Sequence, residues 1–496
     1  MRKSFLAAAF AALLAAPAGA DPAADGAQAW RTLTRIDLEA HYQLLKRDHP
    51  GASSEAGDPA FVEALEAAHA EALGRADRVT TLTGYAATLA GFVHALGDSH
   101  INSYMSVLPR TVDWTGIVAA RRGAGWVVAA DEPKLTGREL AGAEIVSCDS
   151  RPVADLAKDV LRFHANPAVA AEQALFGGWL LVDDGNPFLK RPTACVLRKD
   201  GVESTQTLTW KPISYAALRQ QYWKTPIGHA GFGVRPVAGG GYWISLEELD
   251  AKDQPVIDAV KAQAAAIRDA AFVVVDLRGD GGGDDAYGRA LATALMGEGF
   301  VDDVLGPSSE GGGCASVFRV TPGNAAFLTR AARSFGRNGD ATAQKEYEKG
   351  VADIAAARAR GRDLTGPPRC AGPAKPPVSR RRPSLAKAPI LVLSDAACFS
   401  SCINTVWFFR DLGAIQVGQA TDSDTHYSEV RDMVLPSGLS TATLLTAIIP
   451  DAPPRIGPFE PKFAYGGDIA ATADLEAWVA GQVVPQLKRQ GAAAWE

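Results

Sequence analysis

Long hydrophobic runs are scarce in this 496-residue chain: beyond the first twenty residues, none reaches the roughly 18 uncharged apolar residues a membrane helix needs, so no membrane span is expected. A surplus of basic charge is also lacking. With a net charge of −6 there is no cationic footprint for nucleic acid, and an anionic partner is disfavoured. Cysteine is sparse as well: Cys148, Cys195, Cys314, Cys370, Cys398 and Cys402, with no Cys-x-x-Cys and no histidines at ligand spacing beside them. No metal and no cofactor is expected. The even number leaves disulfides open without fixing their pairing.

What is present begins with Met1-Arg2-Lys3, an apolar stretch from Phe5 to Ala16, and the small-residue exit Pro17-Ala18-Gly19-Ala20. That order is a secretory signal peptide, residues 1–20, and implies a mature chain in the bacterial periplasm or secreted. The remainder is too long for one core and predicts two or three domains. Residues 21–110 carry apolar positions at three and four, as in Leu38, His41, Leu44 and Leu45, and predict a helical N-terminal domain. Residues 111–215 hold short β-like runs such as Gly125 to Ala130 and predict a β-rich module. From 216 to 496 strands and helices alternate, which predicts an α/β layer of βαβ units. An insertion over 306–387 interrupts it and reads as a surface excursion, with Arg380-Arg381-Arg382 a solvated face.

In an α/β sheet, sites collect at strand-to-helix turns, and two turns here are unusual. Val273-Val274-Val275-Asp276-Leu277-Arg278-Gly279-Asp280-Gly281-Gly282-Gly283 runs from a strand into a glycine turn. Its spacing matches no phosphate-binding motif, and Asp280, Asp284 and Asp285 would repel phosphate. Backbone N–H groups serving as an oxyanion hole fit better, and a tight packing turn is the plain alternative. The second turn, Ser394 to Asn404, opens a helix on Ser400 and Ser401. A serine there is by default an N-cap; it can also be a nucleophile whose next N–H, at the positive end of the helix dipole, stabilises an oxyanion. Cys398 and Cys402 flank it and read as packing or disulfide partners rather than as nucleophiles.

The glycine turn, followed by Phe399-Ser400-Ser401, Asp411-Leu412-Gly413 and Val417-Gly418-Gln419-Ala420-Thr421, resembles the core of the C-terminal processing (tail-specific) and tricorn-core serine peptidases. Asp98-Ser99-His100 and Leu140-Ala141-Gly142-Ala143-Glu144-Ile145-Val146 extend the likeness over most of the chain. The resemblance implies a crotonase-like (ClpP-like) spiral β/α core with a PDZ-like module, a polypeptide substrate, and Ser400 as nucleophile, with Ser401 the runner-up. Where one branch of that family places a lysine base, this chain has Thr421-Asp422-Ser423-Asp424-Thr425-His426-Tyr427, so a Ser-Lys dyad is not expected. The tricorn-like branch implies His100 as base, with His426 the rival. Glu429 is the expected carboxylate behind the imidazole and Glu460 the alternative; N–H groups of Gly282 or Gly283 and of Ser401 would hold the oxyanion. A ligand-binding protein that has lost catalysis, or an esterase, are the other functions compatible with these residues.

Overall fold

The computed structural model describes residues 22–222, 228, 231–306, 316–369 and 376–490; the expected signal peptide, Cys314 and Cys370 lie outside them. Three α-helices open the described residues, α1 (Pro22–Asp48), α2 (Pro59–Ala76) and α3 (Leu82–His94). Asp58 caps α2 by accepting from the Phe61 N–H, and Thr81 caps α3 by accepting from that of Gly84. Their periodic positions put Leu38, Leu45, Leu65, Leu89 and Phe92 on inward faces. Burying such a side chain contributes about 1.5–3 kcal/mol. The chain then turns sharply into β1 (Ser103–Met105).

An antiparallel sheet of β2 (Ile117–Arg122), β3 (Gly125–Asp131), β4 (Glu144–Cys148), β5 (Ala194–Lys199) and β6 (Val202–Thr207) follows, in that spatial order. Helix α4 (Val153–Leu161) lays Leu156, Val160 and Leu161 on it, and a Cys148–Cys195 disulfide joins β4 to β5 at facing positions.

The remaining chain builds a six-stranded sheet from β7 (Gly233–Val237), β8 (Gly241–Ser245), β9 (Val273–Asp276), β10 (Ile390–Ser394), β11 (Ile415–Gly418) and, after a second sheet, Phe463–Ala464. All pairings after β7–β8 are parallel. Both faces are covered, which is why β9 and β10 are uninterrupted apolar runs rather than alternating ones. Val273, Val275, Ile390 and Val392 face α5 (Gln254–Ala262), α6 (Asp285–Met296) and α9 (Ser401–Asp411), while Val274, Leu391 and Leu393 face the C-terminal helices.

The second sheet is a late hairpin, β12 (Tyr427–Val434) and β13 (Ser440–Ile448), whose β13 also pairs with β1. Its Tyr427, Leu444, Leu445 and Ile448 complete the core under the N-terminal helices. Arg431 of β12 also reaches the buried Asp48 of α1 at 2.6 Å. Removing Asp48 would leave the buried Arg431 charge with only the Asn324 amide oxygen, a cost of about 3–5 kcal/mol, whereas Asp48 would keep Arg47 if Arg431 were lost. The N-terminal helices and the end of the chain therefore share one interior.

The insertion is more than a surface excursion. Its helices α7 (Pro322–Arg337) and α8 (Ala341–Ala359) pack as a pair, and α8 turns Tyr347 towards Glu429 of β12. Arg382 of the arginine run stays solvated and pairs with Asp303 at 2.7 Å.

Candidate active site

Two strand-to-helix turns of the parallel sheet, after β9 and after β10, lie against each other. Asp395, buried, staples them: its carboxylate accepts from the Gly279 N–H on one side and the Ala397 N–H on the other, and burial pushes it up to about 6. The Asp276-Leu277-Arg278 segment is a structural anchor. Arg278, fully buried, pairs with Asp276 at 2.6 Å and donates to the Ile469 carbonyl, fixing the turn to the C-terminal helices.

Ser400 is the last residue before α9. It adopts φ 55°, ψ −126°, outside the regions a serine ordinarily occupies. Such a conformation costs about 1–3 kcal/mol and persists only when the surroundings impose it. Its side chain makes no capping bond to the helix, which removes the N-cap explanation. Instead its Oγ lies 3.0 Å from Nε2 of His100. Ser401, by contrast, donates its hydroxyl to the Gly283 carbonyl at 2.8 Å.

His100 is carried by the turn between α3 and β1. Asp98 accepts from the His100 N–H at 2.9 Å, and the His100 carbonyl accepts from Thr443 Oγ1 of β13 at 2.6 Å, so both ends of the residue are held. The Phe399 ring packs on the imidazole, with centroids 4.4 Å apart. Nδ1 sits 3.2 Å from Asp424 Oδ1 and 3.4 Å from Asp98 Oδ1. Neither oxygen lies in line with an N–H there, so the contact is ionic rather than a well-aligned hydrogen bond. Burial alone would lower the pKa of His100; the carboxylates Asp424 and Asp98 outweigh it and hold the imidazolium up to about 10. Burial raises Asp424 above the usual carboxylate range. Asp98, although burial opposes it, stays below that range through His100 and through Thr425 Oγ1, which donates to it at 2.5 Å.

The expected carboxylates are elsewhere. Glu429 accepts from Tyr347 Oη at 2.7 Å. At φ 65° it breaks the β12–β13 ladder; its carbonyl takes the Thr446 hydroxyl, and its side chain lines the same cleft as His100 without a contact to the imidazole. Glu460 is exposed and offers only its backbone carbonyl, to Arg410. His426 lies against Tyr427 and the Ala452 backbone, not against Ser400. The residues that face Nδ1, Asp98 and Asp424, stood in the sequence two positions before His100 and inside the segment where a lysine was missing.

Of the three expected N–H donors, Gly282 is already engaged: it donates to Asp280 Oδ1 at 2.8 Å, and burial pushes that carboxyl up to about 8. Among the described residues no acceptor meets the N–H of Gly283 or of Ser401. Gly282 has a different part. Its φ is 108°, and a Cβ there would meet Ser400 Cβ at 2.7 Å and the Phe399 carbonyl at 2.9 Å. Gly282→Ala should therefore displace Ser400 and slow its reaction with a fluorophosphonate about a hundredfold, a loss on the scale of a misplaced reacting group. An unchanged labelling rate would show that the turn yields.

Ser400 and His100 open on a cleft of about 700 Å³ walled by α6, α8, α9 and β12. Apart from His100, its charged lining among the described residues is acidic, with Asp284, Asp285, Asp340, Glu346, Asp424 and Glu429, and holds no lysine or arginine. Asp98, His100 and Asp424 also stand close enough to share a cation, but all three are already engaged with one another, with Thr425 or with Ser400.

Fold and site together define a mixed α/β protein with a serine–imidazole pair at the mouth of a cleft. The same fold is found in mature CPAF complexed with lactacystin: TM-score 0.60, 13% identity, 94% of this chain and 99% of that one. A second structure of mature CPAF aligns at TM-score 0.58 with 12% identity over the same shares. The photosystem II D1 C-terminal processing protease aligns over 92% of this chain and 99% of that chain at 12% identity, but its TM-score of 0.37 is too low to carry an argument. No protein-family model matches the sequence, and no curated protein matches it.

Proposed function

We propose that the chain is an exported serine peptidase of the tail-specific and tricorn-core kind, working through Ser400 and His100 with Asp424 behind the imidazole. The observation that carries this is the 3.0 Å approach of His100 Nε2 to an Oγ that caps nothing, between residues 300 positions apart. Ser400 Oγ attacks the peptide carbonyl carbon as its proton passes to Nε2. The oxyanion is met by the N–H groups of Ser401 and Gly283, the former at the positive end of α9. Collapse breaks the C–N bond, and the departing amine takes the proton from Nε2. Water then repeats the sequence on the acyl ester: it gives a proton to Nε2, its oxygen joins the carbonyl carbon, and Ser400 Oγ leaves with that proton.

The acidic cleft favours polypeptides over polyanionic substrates, and the disulfides suit an oxidising compartment. We take the parallel sheet with its helices as the crotonase-like core and the sheet of β2 to β6 as the PDZ-like module. A binding protein that had lost catalysis would need no base beside Ser400, so the His100 contact favours hydrolysis. Labelling the folded protein with a fluorophosphonate and mapping the modified peptide tests this. Modification at Ser400 that disappears in His100→Ala is expected; folded protein that stays unmodified would overturn the reading.

A further inference from the structure

Cys398 and Cys402 form a disulfide whose short loop contains Phe399, Ser400 and Ser401. Both cysteines are fully buried. Several parts of the candidate site sit in this loop or against it. Phe399 supports the imidazole ring, Ser400 carries Oγ, Ser401 carries the N–H at the head of α9, and the Cys398 carbonyl accepts from the Asp422 N–H at 3.0 Å. Asp422 leads directly into Asp424, the carboxylate nearest Nδ1.

The loop also holds a backbone that would otherwise relax. Ser400 sits at a positive φ with no capping bond, and the first N–H of α9 has no acceptor among the described residues. An unrestrained helix start would rotate Ser400 to an ordinary conformation and turn its hydroxyl into an N-cap, the common use of a serine at that position. A cross-link from the residue two before Ser400 to the residue two after it removes much of that freedom.

We propose that the Cys398–Cys402 disulfide is a positioning element for the nucleophile: it keeps Ser400 from becoming a helix cap and keeps the serine, the N–H of Ser401 and the Asp422–Asp424 segment in one arrangement. The proposal rests on the hydrolase reading above, and its test separates the two. Fluorophosphonate labelling rate and thermal midpoint are measured for the full chain, for Cys398→Ala/Cys402→Ala, and for Cys148→Ala/Cys195→Ala, which removes the disulfide of the β-rich sheet. The first pair should slow labelling at least tenfold, and in peptide turnover should lower kcat with KM little changed. The second pair should lower the thermal midpoint while labelling stays within twofold.

Labelling within twofold in a folded Cys398→Ala/Cys402→Ala variant would overturn the proposal. So would thiol mapping of the unaltered, labelling-competent protein that finds Cys398 and Cys402 free, a measurement that needs no variant to fold. If the unaltered, oxidised protein does not label at Ser400, the hydrolase reading fails first and this one with it.

Discussion

Ser400→Ala should lower peptide turnover about ten-thousandfold or more, with the thermal midpoint moved by no more than a few degrees. The asymmetry follows from what the hydroxyl does and does not touch. Oγ faces His100 Nε2 and caps nothing, so alanine costs α9 no hydrogen bond, and the backbone strain at this position is the same for both residues. Ser401→Ala is the control: its hydroxyl binds only the Gly283 carbonyl, and turnover should survive its loss. Appreciable turnover in Ser400→Ala, measured on purified protein, would place the nucleophile elsewhere.

Asp424→Asn should reduce kcat/KM by about a thousandfold or more near its optimum and move the rising limb of the pH profile to lower pH. The sign follows from the charges around Nδ1. Two carboxylates favour the imidazolium, so the folded-state pKa of His100 is raised, to about 10. The stability this contributes is complete below the ordinary histidine value of about 6.5 and is lost as pH rises through about 10. Deprotonation over that same window frees Nε2 to take the serine proton, so turnover should climb with pH across it. Replacing one carboxylate by an amide weakens the pull on the proton, bringing the climb to lower pH. It also removes the nearer of the two groups that favour charge on the imidazole during reaction, lowering the plateau. A profile that does not move would remove Asp424 from the pair.

Several parts of this arrangement could be read from residue order, because their causes are local. The apolar runs Val273 to Val275 and Ile390 to Leu393 are buried on both faces, and Gly282 and Gly283 after the first admit a close approach that a Cβ would block. Helix α6 begins at Asp285 and ends at Met296, as its periodicity predicts. The partner of the imidazole was not legible, because it depends on where two distant segments meet. Asp98 and Asp424 lie in segments that the sequence singles out, but nothing marks either as the imidazole's partner until the pairing of β1 with β13 and the fold of the late hairpin bring them to the same ring nitrogen. Glu429 was a sound expectation by proximity along the chain, undone by one backbone torsion that points it at Tyr347. The role of the insertion was hidden for a related reason: an alanine- and arginine-rich helix looks solvated until its few large residues are seen to wall a cleft. The engagement of Gly282 by Asp280 is likewise a matter of which way one N–H points.

The shared interior of the N-terminal helices and the late hairpin sets an order of events during manufacture. Leu38 to Phe92 are translated early, but Tyr427 to Ile448, which cover them, come more than 300 residues later. At about 5–20 residues per second, that leaves the apolar faces uncovered for roughly fifteen seconds to over a minute, a period in which they are open to association. The same delay confers safety. His100 has its Asp424 neighbour and its anchor on Thr443 only after the hairpin has been made, so a nascent or still-threading chain carries a serine and a histidine but no competent pair. Topology thus delays the assembly of the serine–imidazole pair until nearly the whole chain has been made.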